Sequence, residues 1–289
     1  MRISIAVSVL VPLLAVSLNP GEAQELRVMS FNVRYGTAQD GENAWPLRRG
    51  LLEKVVRDFG PDVMGVQEAL HFQLEEMSAF FPELDWIGVG RDDGGRAGEY
   101  SAIFFRRSRL ELLEEGTFWF SDTPEVPGSM TWGNQLPRIC TWGRFRDRAD
   151  GRTLTVFNLH WDHRSQSSRE EGAVLLLQRI RERTAAAGPE EGILVTGDFN
   201  AGEHNPAFRA LLEAEDPALL DTFRALHPDA REVGSFHGFR GGSGGEKIDA
   251  ILVDPGWVVL EAEIVRTRSG HLFPSDHYPV TAVLDRKDR

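Results

Sequence analysis

Short runs of β-branched and aromatic residues, each bounded by turn residues, recur along most of the chain. Such runs are typical of β-strands, and the turn sequence at residues 149–151 predicts a tight hairpin between two of them. A chain with this many strands needs two sheets. The eleven predicted strands lie at residues 26–33, 62–68, 85–90, 99–105, 110–120, 138–147, 152–160, 193–199, 247–253, 257–266 and 279–285.

Three segments show helical rather than strand periodicity. The first covers residues 46–59, where apolar residues recur at helical spacing until a Gly-Pro pair stops them. The second begins at Ser168, which forms a capping box with Glu171, and the third begins at Asn205. Because helices alternate with both adjacent and hairpin-linked strands, we expect an α/β fold in which two mixed sheets pack face to face with helices outside.

The first 23 residues differ in composition from the rest of the chain. Arg2 precedes an apolar run at residues 3–18, and small residues follow it, which is the pattern of a secretory signal peptide. The run of about 16 residues is shorter than the roughly 20 that a membrane span needs. We therefore expect an exported protein, periplasmic or extracellular, without stable membrane association, whose single domain covers residues 24–289.

The chain has 32 basic and 44 acidic residues and a formal net charge of −12. Lys and Arg side chains that neutralise phosphates supply most of the affinity of nucleic-acid-binding proteins. The acidic balance argues against a protein that coats polyanions and disfavours a nucleic-acid partner, although a metal and a few arginines could form a local positive patch. The lone cysteine, Cys140, lies in a predicted strand, where a buried structural role is favoured. We expect a monomer.

Polar and acidic side chains repeatedly stand where an apolar strand ends. Any one of them could be an ordinary loop residue that faces water. Together they indicate a site, because strand ends of the same polarity can converge on one rim of a sandwich, where rigid strands hold functional loops. These residues are Asn32, Glu68, His160, Asp198, Asn200, Asp249, Asp276 and His277.

The chemistry of this set favours a hard divalent cation. Carboxylate and amide oxygens without thiolates suit Mg²⁺, which usually takes one or two protein carboxylates together with water and substrate oxygens. Zinc is the weaker interpretation. The segment His160-Trp161-Asp162-His163 lacks the helical i, i+4 histidine pair of a hydrolytic zinc motif.

Six short motifs in this set resemble, in order and in spacing, the pattern of the endonuclease/exonuclease/phosphatase superfamily. The resemblance spans essentially the whole chain after the first 23 residues. It implies a four-layered α/β sandwich and metal-dependent cleavage of phosphate esters. The motifs are Ser30-Phe31-Asn32-Val33, Val66-Gln67-Glu68, Asn158-Leu159-His160, Gly197-Asp198-Phe199-Asn200, Lys247-Ile248-Asp249 and Ser275-Asp276-His277-Tyr278-Pro279-Val280.

The resemblance also implies a role for each matching residue. Glu68 looks like the principal metal ligand, and Asn32 and Asp276 complete the metal side of the site. Asp198 and Asn200 resemble the pair that orients the attacking water and the phosphate.

Two imidazoles and two further charged residues match as well. His277 is similar to the phosphate-facing imidazole that Asp249 orients, and His160 resembles a second imidazole. Glu99 matches the carboxylate that pairs with this second imidazole in the deoxyribonuclease I branch, and Arg138 matches its phosphate-contacting arginine. A surface acid and an ion-paired arginine are the alternatives for these two. A carboxylate beside each histidine predicts a raised pKa for both imidazoles.

Three further residues are candidates for contact with a substrate. His237 lies in a short segment ahead of the strand that begins near Asp249, and Trp132 and Trp161 lie in polar loops. Aromatic rings in such loops can stack on a sugar or a base. A satisfied loop histidine and core packing are the alternatives.

The sequence thus predicts an exported hydrolase that depends on Mg²⁺, or on Mn²⁺, and cleaves a phosphodiester or phosphomonoester by in-line attack of water. A small or carbohydrate-linked substrate is favoured. One alternative is a secreted nuclease that acts on DNA or RNA. Another is a catalytically inactive module that binds phosphorylated ligands, which the intact set of chemical groups disfavours. Either Asp198 or a histidine–carboxylate pair could accept the proton of the water.

Overall fold

The structure is a computed structural model that describes residues 25–188 and 190–287. The predicted signal peptide, residues 1–23, lies outside the described residues. A 3-10 turn at Gly41–Asn43 precedes the first helix. In chain order the elements are β1 (Leu26–Asn32), α1 (Trp45–Phe59), β2 (Val63–Ala69), α2 (His71–Phe80), β3 (Leu84–Ile87), β4 (Tyr100–Arg106), β5 (Leu110–Trp119), β6 (Ile139–Asp147), β7 (Thr153–His160), α3 (Gln166–Ala187), β8 (Gly192–Asp198), α4 (Pro206–Leu212), β9 (Leu220–Asp221), α5 (Thr222–Leu226), β10 (Asp249–Val253), β11 (Trp257–Ile264) and β12 (Val280–Arg286).

The strands form two mixed sheets of six strands each. The first sheet has the order β11-β12-β1-β2-β4-β3, and the second has the order β5-β6-β7-β8-β10-β9. In each sheet one central pair is parallel, β1 with β2 and β7 with β8, while the other pairs are antiparallel. Each of the eleven predicted strands is present with shifted ends, and the predicted hairpin joins β6 to β7. The two-residue strand β9 was not predicted.

Three apolar clusters separate four layers. One cluster lies between the sheets, a second packs α1 and α2 onto the outer face of the first sheet, and the third packs α3 and α4 onto the outer face of the second sheet. Alternate residues of a strand supply opposite faces. In β1, Val28 faces the partner sheet, whereas Met29 and Phe31 face the helices. The predicted four-layered α/β sandwich is confirmed.

The helix predictions were correct at two starts and wrong at one. Helix α1 ends at Gly60, whose φ of +65° is in the left-handed region, and Asn205 caps α4 by accepting a hydrogen bond from the backbone of Ala207. The predicted capping box at Ser168 is wrong. The side chain of Ser165 caps α3 by accepting from the backbone N–H of Ser168, which therefore lies inside the first turn.

Helix α2 and helix α5 were not predicted. Helix α2 follows Leu70, which has no side-chain oxygen, so the usual start signal is missing. The side chain of Gln73 instead accepts the backbone N–H of Leu70 at 3.0 Å. Cys140 is buried in β6, as predicted. Among the described residues, no helix combines the length and the apolar composition needed to cross a membrane.

Candidate active site

The facing surfaces of the two sheets change from apolar to polar toward one rim of the sandwich. In β8, Leu194 belongs to the apolar cluster between the sheets, and Asp198 ends the strand on the same face. The predicted convergence at one rim is confirmed, with one correction. Asp249 starts its strand rather than ending it, and Asp276 and His277 precede β12. They reach the same rim because β10 is antiparallel to β8 and β12 is antiparallel to β1.

A layer of buried amides and hydroxyls separates this rim from the apolar core. Asn158 accepts hydrogen bonds from Gln67 Nε2 at 2.7 Å and from Thr196 Oγ1 at 3.0 Å, and it donates to two backbone carbonyls of the first sheet. The sheets approach closely here at Gly65, where a Cβ atom would overlap Thr196 Oγ1 and lie 2.5 Å from Asn158 Oδ1. Buried polar groups that are bonded in this way fix the relative position of the sheets.

The rim opens into a cavity of about 810 Å³. Most of the predicted site residues line it, and two more, Asn32 and Asp249, lie directly behind its wall in contact with lining residues. The predicted residues that line the cavity are Glu68, Glu99, Arg138, His160, Asp198, Asn200, Asp276 and His277.

Asp198 is the centre of the hydrogen-bond network in this cavity. Its Oδ2 accepts from Asn32 Nδ2 at 2.9 Å and lies 3.5 Å from His160 Nε2 and 3.8 Å from His277 Nε2. Its Oδ1 accepts from the backbone N–H of Asn200 at 2.9 Å. Burial raises the pKa of Asp198, and the nearby carboxylate of Asp249 raises it further. Asp198 can therefore exchange a proton more easily near neutral pH than an exposed aspartate can.

The pKa values of the two imidazoles that face Asp198 are shifted in opposite directions. Burial lowers the pKa of His277, but Asp249 and Asp198 outweigh it and raise that pKa well above its ordinary value. Nδ1 of His277 lies 2.9 Å from Asp249 Oδ2. Burial lowers the pKa of His160 well below its ordinary value, and the charge of Arg138 adds to this effect. The prediction of a raised pKa is thus wrong for His160. The raised pKa favours the protonated form of His277, which can donate to an anion, and the lowered pKa favours the neutral form of His160.

Glu68 points into the cavity because β2 is locally irregular. The register of β2 against β4 shifts between Gln67 and Ala69, and Glu68 has a φ of +64°. A bulge of this kind turns a side chain that would otherwise face the helices, and a left-handed non-glycine residue costs of order 1 kcal/mol. Glu68 Oε1 accepts from Asn32 Nδ2 at 3.0 Å, and its Oε2 accepts from the backbone of Tyr35 at 3.2 Å.

The donor atoms around Glu68 fit a divalent cation. One ligand atom from each of Glu68, His160 and Asp198 lies within 4.8 Å of the others, and Asp198, Asp249 and His277 form a second such group. The first group is the better candidate, because Nδ1 of His277 is already engaged by Asp249 at 2.9 Å. A donor set dominated by carboxylate oxygen suits a hard cation.

Asp276 lies on the same wall as Glu68, and Arg34 connects the two. Nη1 of Arg34 is 4.0 Å from Glu68 Oε2, and its Nε is 3.7 Å from Asp276 Oδ2. The same guanidinium forms two hydrogen bonds of 3.1 Å with Asp40. Arg34 therefore offsets part of the negative charge on this wall.

Glu99 and Arg138 both line the cavity, but their partners differ from those that the resemblance implies. Arg91 binds both oxygens of Glu99, at 2.6 and 2.9 Å, while Glu99 Oε2 is 4.0 Å from His160 Nδ1, beyond hydrogen-bond distance. Arg138 Nη2 lies 2.8 Å from His163 Nδ1 and its Nε lies 3.4 Å from a carboxylate oxygen of Asp162. Its Nη1 is buried without a hydrogen-bond partner in the described part of the chain, so one donor is left for a ligand.

Three candidates for substrate contact do not reach the cavity. Trp161 is only 1% exposed and packs edge-on between Phe120 and Phe199, so its prediction as a ligand contact is wrong. Trp132 is half-buried and donates its indole N–H to Asp122 outside the cavity. The prediction for His237 is also wrong, because its ring packs against Phe273 and Tyr278, with centroids 4.6 and 4.0 Å away, and does not line the cavity.

Sequence reasoning did not predict several residues that line the cavity, among them Arg34, Arg91, His163 and Phe236. Arg34 follows Asn32 by two positions, and this proximity was a usable signal. Arg91 lies in the segment that connects β3 to β4, and no local pattern marks it. Phe236 lies in the segment that was singled out for His237, whose ring faces the other way.

The chain resembles known proteins over most of its length. A model of the Endonuclease/Exonuclease/phosphatase family matches residues 29–277. A solved endonuclease/exonuclease/phosphatase structure from Bacteroides vulgatus is 34% identical, covers 91% of this chain and 100% of its own, and has a TM-score of 0.84. The structure of a mannosyl-6-phosphatase from Bacteroides thetaiotaomicron is 33% identical. The match covers 90% of this chain and 99% of that structure, with a TM-score of 0.80.

A viral sequence is more distantly similar. The uncharacterized protein L388 of Acanthamoeba polyphaga mimivirus is 28% identical over 187 residues, which are 62% of this chain and 68% of that protein. The family model matches most of the chain, and two solved structures are more than 30% identical to it over about nine-tenths of its length. The chain therefore belongs to the endonuclease/exonuclease/phosphatase family, whose members are phosphoester hydrolases.

Proposed function

We propose that this protein is a divalent-metal-dependent phosphoesterase that hydrolyses a small or carbohydrate-linked phosphate ester by in-line attack of water. The observation that carries the proposal is the arrangement around Asp198, where a buried carboxylate lies beside Glu68 and between two imidazoles whose pKa values are shifted in opposite directions. A hydrolytic site needs a proton acceptor, a donor to the phosphate and a place for the cation within a few ångströms of one another.

Glu68, with Asn32 and Asp276 or with His160 and Asp198, would hold Mg²⁺ or Mn²⁺. The bound cation would supply charge neutralisation at a non-bridging phosphate oxygen. Both ligand sets share Glu68. Removal of this side chain is therefore expected to weaken binding of the cation more than removal of any other.

Side chains of the site supply the proton donor, the second phosphate contact and the general base. Nε2 of His277 carries a proton that can be donated to a phosphate oxygen, because Asp249 holds its Nδ1. Arg138 offers its unpaired Nη1 to a second oxygen. When Glu68, Asn32 and Asp276 hold the cation, Asp198 is free to accept the proton of the attacking water, since burial raises its pKa toward the range in which a carboxylate acts as a general base. Asn32 and the backbone of Asn200 hold Asp198 in place.

Two observations support a small substrate. The cavity of about 810 Å³ is in the range of pockets that enclose small molecules. The similar structure from Bacteroides thetaiotaomicron is a mannosyl-6-phosphatase, and a sugar phosphate has the same two parts, phosphate and ring, that we propose for this substrate. The net charge of −12 disfavours nucleic acid. On the basis of the N-terminal pattern, we also propose that the protein is exported. We further propose that it is a monomer.

A substrate panel tests the proposed function. Purified protein is incubated with a hexose 6-phosphate, a nucleoside monophosphate, a phosphodiester, plasmid DNA and RNA, each with chelator and each with Mg²⁺ or Mn²⁺. We expect phosphate release from small esters only when the cation is present. Rapid degradation of DNA or RNA with little release from small esters would establish the nuclease alternative instead. Binding of phosphorylated ligands without turnover of any substrate would establish an inactive module.

A further inference from the structure

Phe236 is an exposed aromatic residue inside a polar cavity. It lines the catalytic cavity and is 46% exposed, and its ring centroid lies 4.9 Å from that of His277. Proton transfer and phosphate binding give a phenyl ring no task. An exposed aromatic surface in a concave site favours contact with an apolar face of a ligand.

Backbone contacts hold Phe236 at the rim of the cavity. Phe236 forms an antiparallel β-bridge with His277, and the backbone N–H groups of His237 and Gly238 donate to the carbonyl oxygen of Asp276 at 2.9 and 3.1 Å. The imidazole of His237 stacks on Tyr278 with ring centroids 4.0 Å apart. These contacts explain what His237 does. It anchors the turn that carries Phe236 instead of binding a substrate itself.

A guanidinium lies on the other side of a small gap beside this ring. A Cβ atom on Gly238, whose φ is +55°, would lie 3.5 Å from Phe236 Cζ and 3.7 Å from Arg240 Nη2. Arg240 lies just outside the lining of the cavity and is exposed, and no ion pair involves it within residues 25–188 and 190–287. The edge of the phenyl ring and the guanidinium therefore both lie within 4 Å of one point beside Gly238, so a ligand that stacks on Phe236 is within reach of Arg240.

We propose that Phe236 and Arg240 form a subsite for the ring of a phosphorylated sugar, next to the phosphate position at His277. This inference rests on the proposed function. A pyranose has an apolar C–H face that matches the phenyl ring, and its hydroxyl oxygens accept from a guanidinium, which only donates. A nucleobase would stack on Phe236 but would present fewer acceptors to Arg240 than a polyol does.

Three phosphomonoesters test the contributions of Phe236 and Arg240 separately. Glycerol 3-phosphate has no ring, cyclohexyl phosphate has a ring without hydroxyl groups, and a hexose 6-phosphate has both. The measured quantity is kcat/KM for each ester with Mg²⁺, expressed as a ratio to glycerol 3-phosphate. Phe236→Ala and Phe236→Leu should lower the ratio for both ring substrates about fivefold. Arg240→Ala should lower only the hexose ratio, about tenfold.

Exposed residues outside the cavity serve as controls. Val174→Ala on α3 and Arg231→Ala should leave all ratios at the wild-type value, because both residues are exposed, neither lines the cavity and, unlike Arg240, neither borders the space beside Phe236 at Gly238. Unchanged ratios in the Phe236 and Arg240 variants would overturn the subsite while the phosphoesterase proposal stands. A larger effect of Phe236→Ala on a nucleoside monophosphate than on the hexose phosphate would show that the subsite binds a base and not a sugar ring. Absence of phosphate release by the wild-type protein from all esters would overturn the proposed function itself.

Discussion

At the scale of single residues, environment rather than identity decides what each site histidine can do. His160 and His277 face the same carboxylate oxygen of Asp198 at 3.5 and 3.8 Å. His277 also has Asp249 behind it, whereas His160 lies near Arg138, so the two pKa values move apart. The motifs singled out both imidazoles, and both line the cavity. Their charge states depend on neighbours that are distant in the chain, which no local pattern reveals.

His237 gives a residue-scale prediction for stability against pH. Burial, with the charge of His277, lowers its pKa from 6.5 to about 4. Between pH 6.5 and pH 4, His237 is therefore protonated in the unfolded chain but neutral in the folded protein. The free energy of unfolding decreases as the pH falls through this range. Between pH 7.5 and pH 5 this histidine should cost about 2 kcal/mol.

A His237→Phe variant keeps an aromatic ring against Tyr278 and removes the titration. Urea unfolding at both pH values should show that the variant loses about 2 kcal/mol less stability than the wild-type protein on acidification. His204→Phe, at an exposed position, controls for the loss of one histidine. Parallel pH profiles for wild-type and His237→Phe protein would contradict the neutral state of His237.

At the scale of elements, one arginine of α1 ties together the segments that carry the metal side of the site. Arg48 is fully buried and donates to the carbonyl oxygens of Val33 and Pro274 at 2.8 Å each, and to those of Asn43 and Arg34. The helix itself was predicted from its apolar spacing. The role of Arg48 was not, because a charged residue in an amphipathic helix normally faces water, and Pro274 is 226 positions away.

The neighbouring arginine supplies a matched control for an element-scale prediction. Arg48→Met should lower the free energy of unfolding by about 3 kcal/mol or more, because several buried carbonyl groups lose their donor. Arg49→Met should cost less than about 1 kcal/mol, because Arg49 is 43% exposed and forms a surface ion pair with Glu76. Urea titrations at pH 7.5 compare the two variants. Equal destabilisation by both would show that Arg48 does not hold these segments.

At the scale of the whole molecule, the strands were predictable and their pairing was not. Runs of β-branched residues located each predicted strand, since that signal is local. Pairs such as β1 with β12 join residues far apart in the chain, and antiparallel pairing of this kind brings His277 to the rim that holds Asn32. The family resemblance supplied this convergence. It did not supply Phe236 or Arg91, which come from connecting segments without a motif.

The central claim is that this rim is a metal-dependent hydrolytic site organised around Asp198. The direct measurement is the rate of 4-nitrophenol release from 4-nitrophenyl phosphate and its bis ester, for wild-type and Asp198→Asn protein, with chelator and then with Mg²⁺ in excess. We expect no wild-type turnover in chelator, recovery with Mg²⁺, and a rate at least about 100-fold lower in the folded variant. Full wild-type activity in chelator, or a variant within a few-fold of wild type, would contradict the claim.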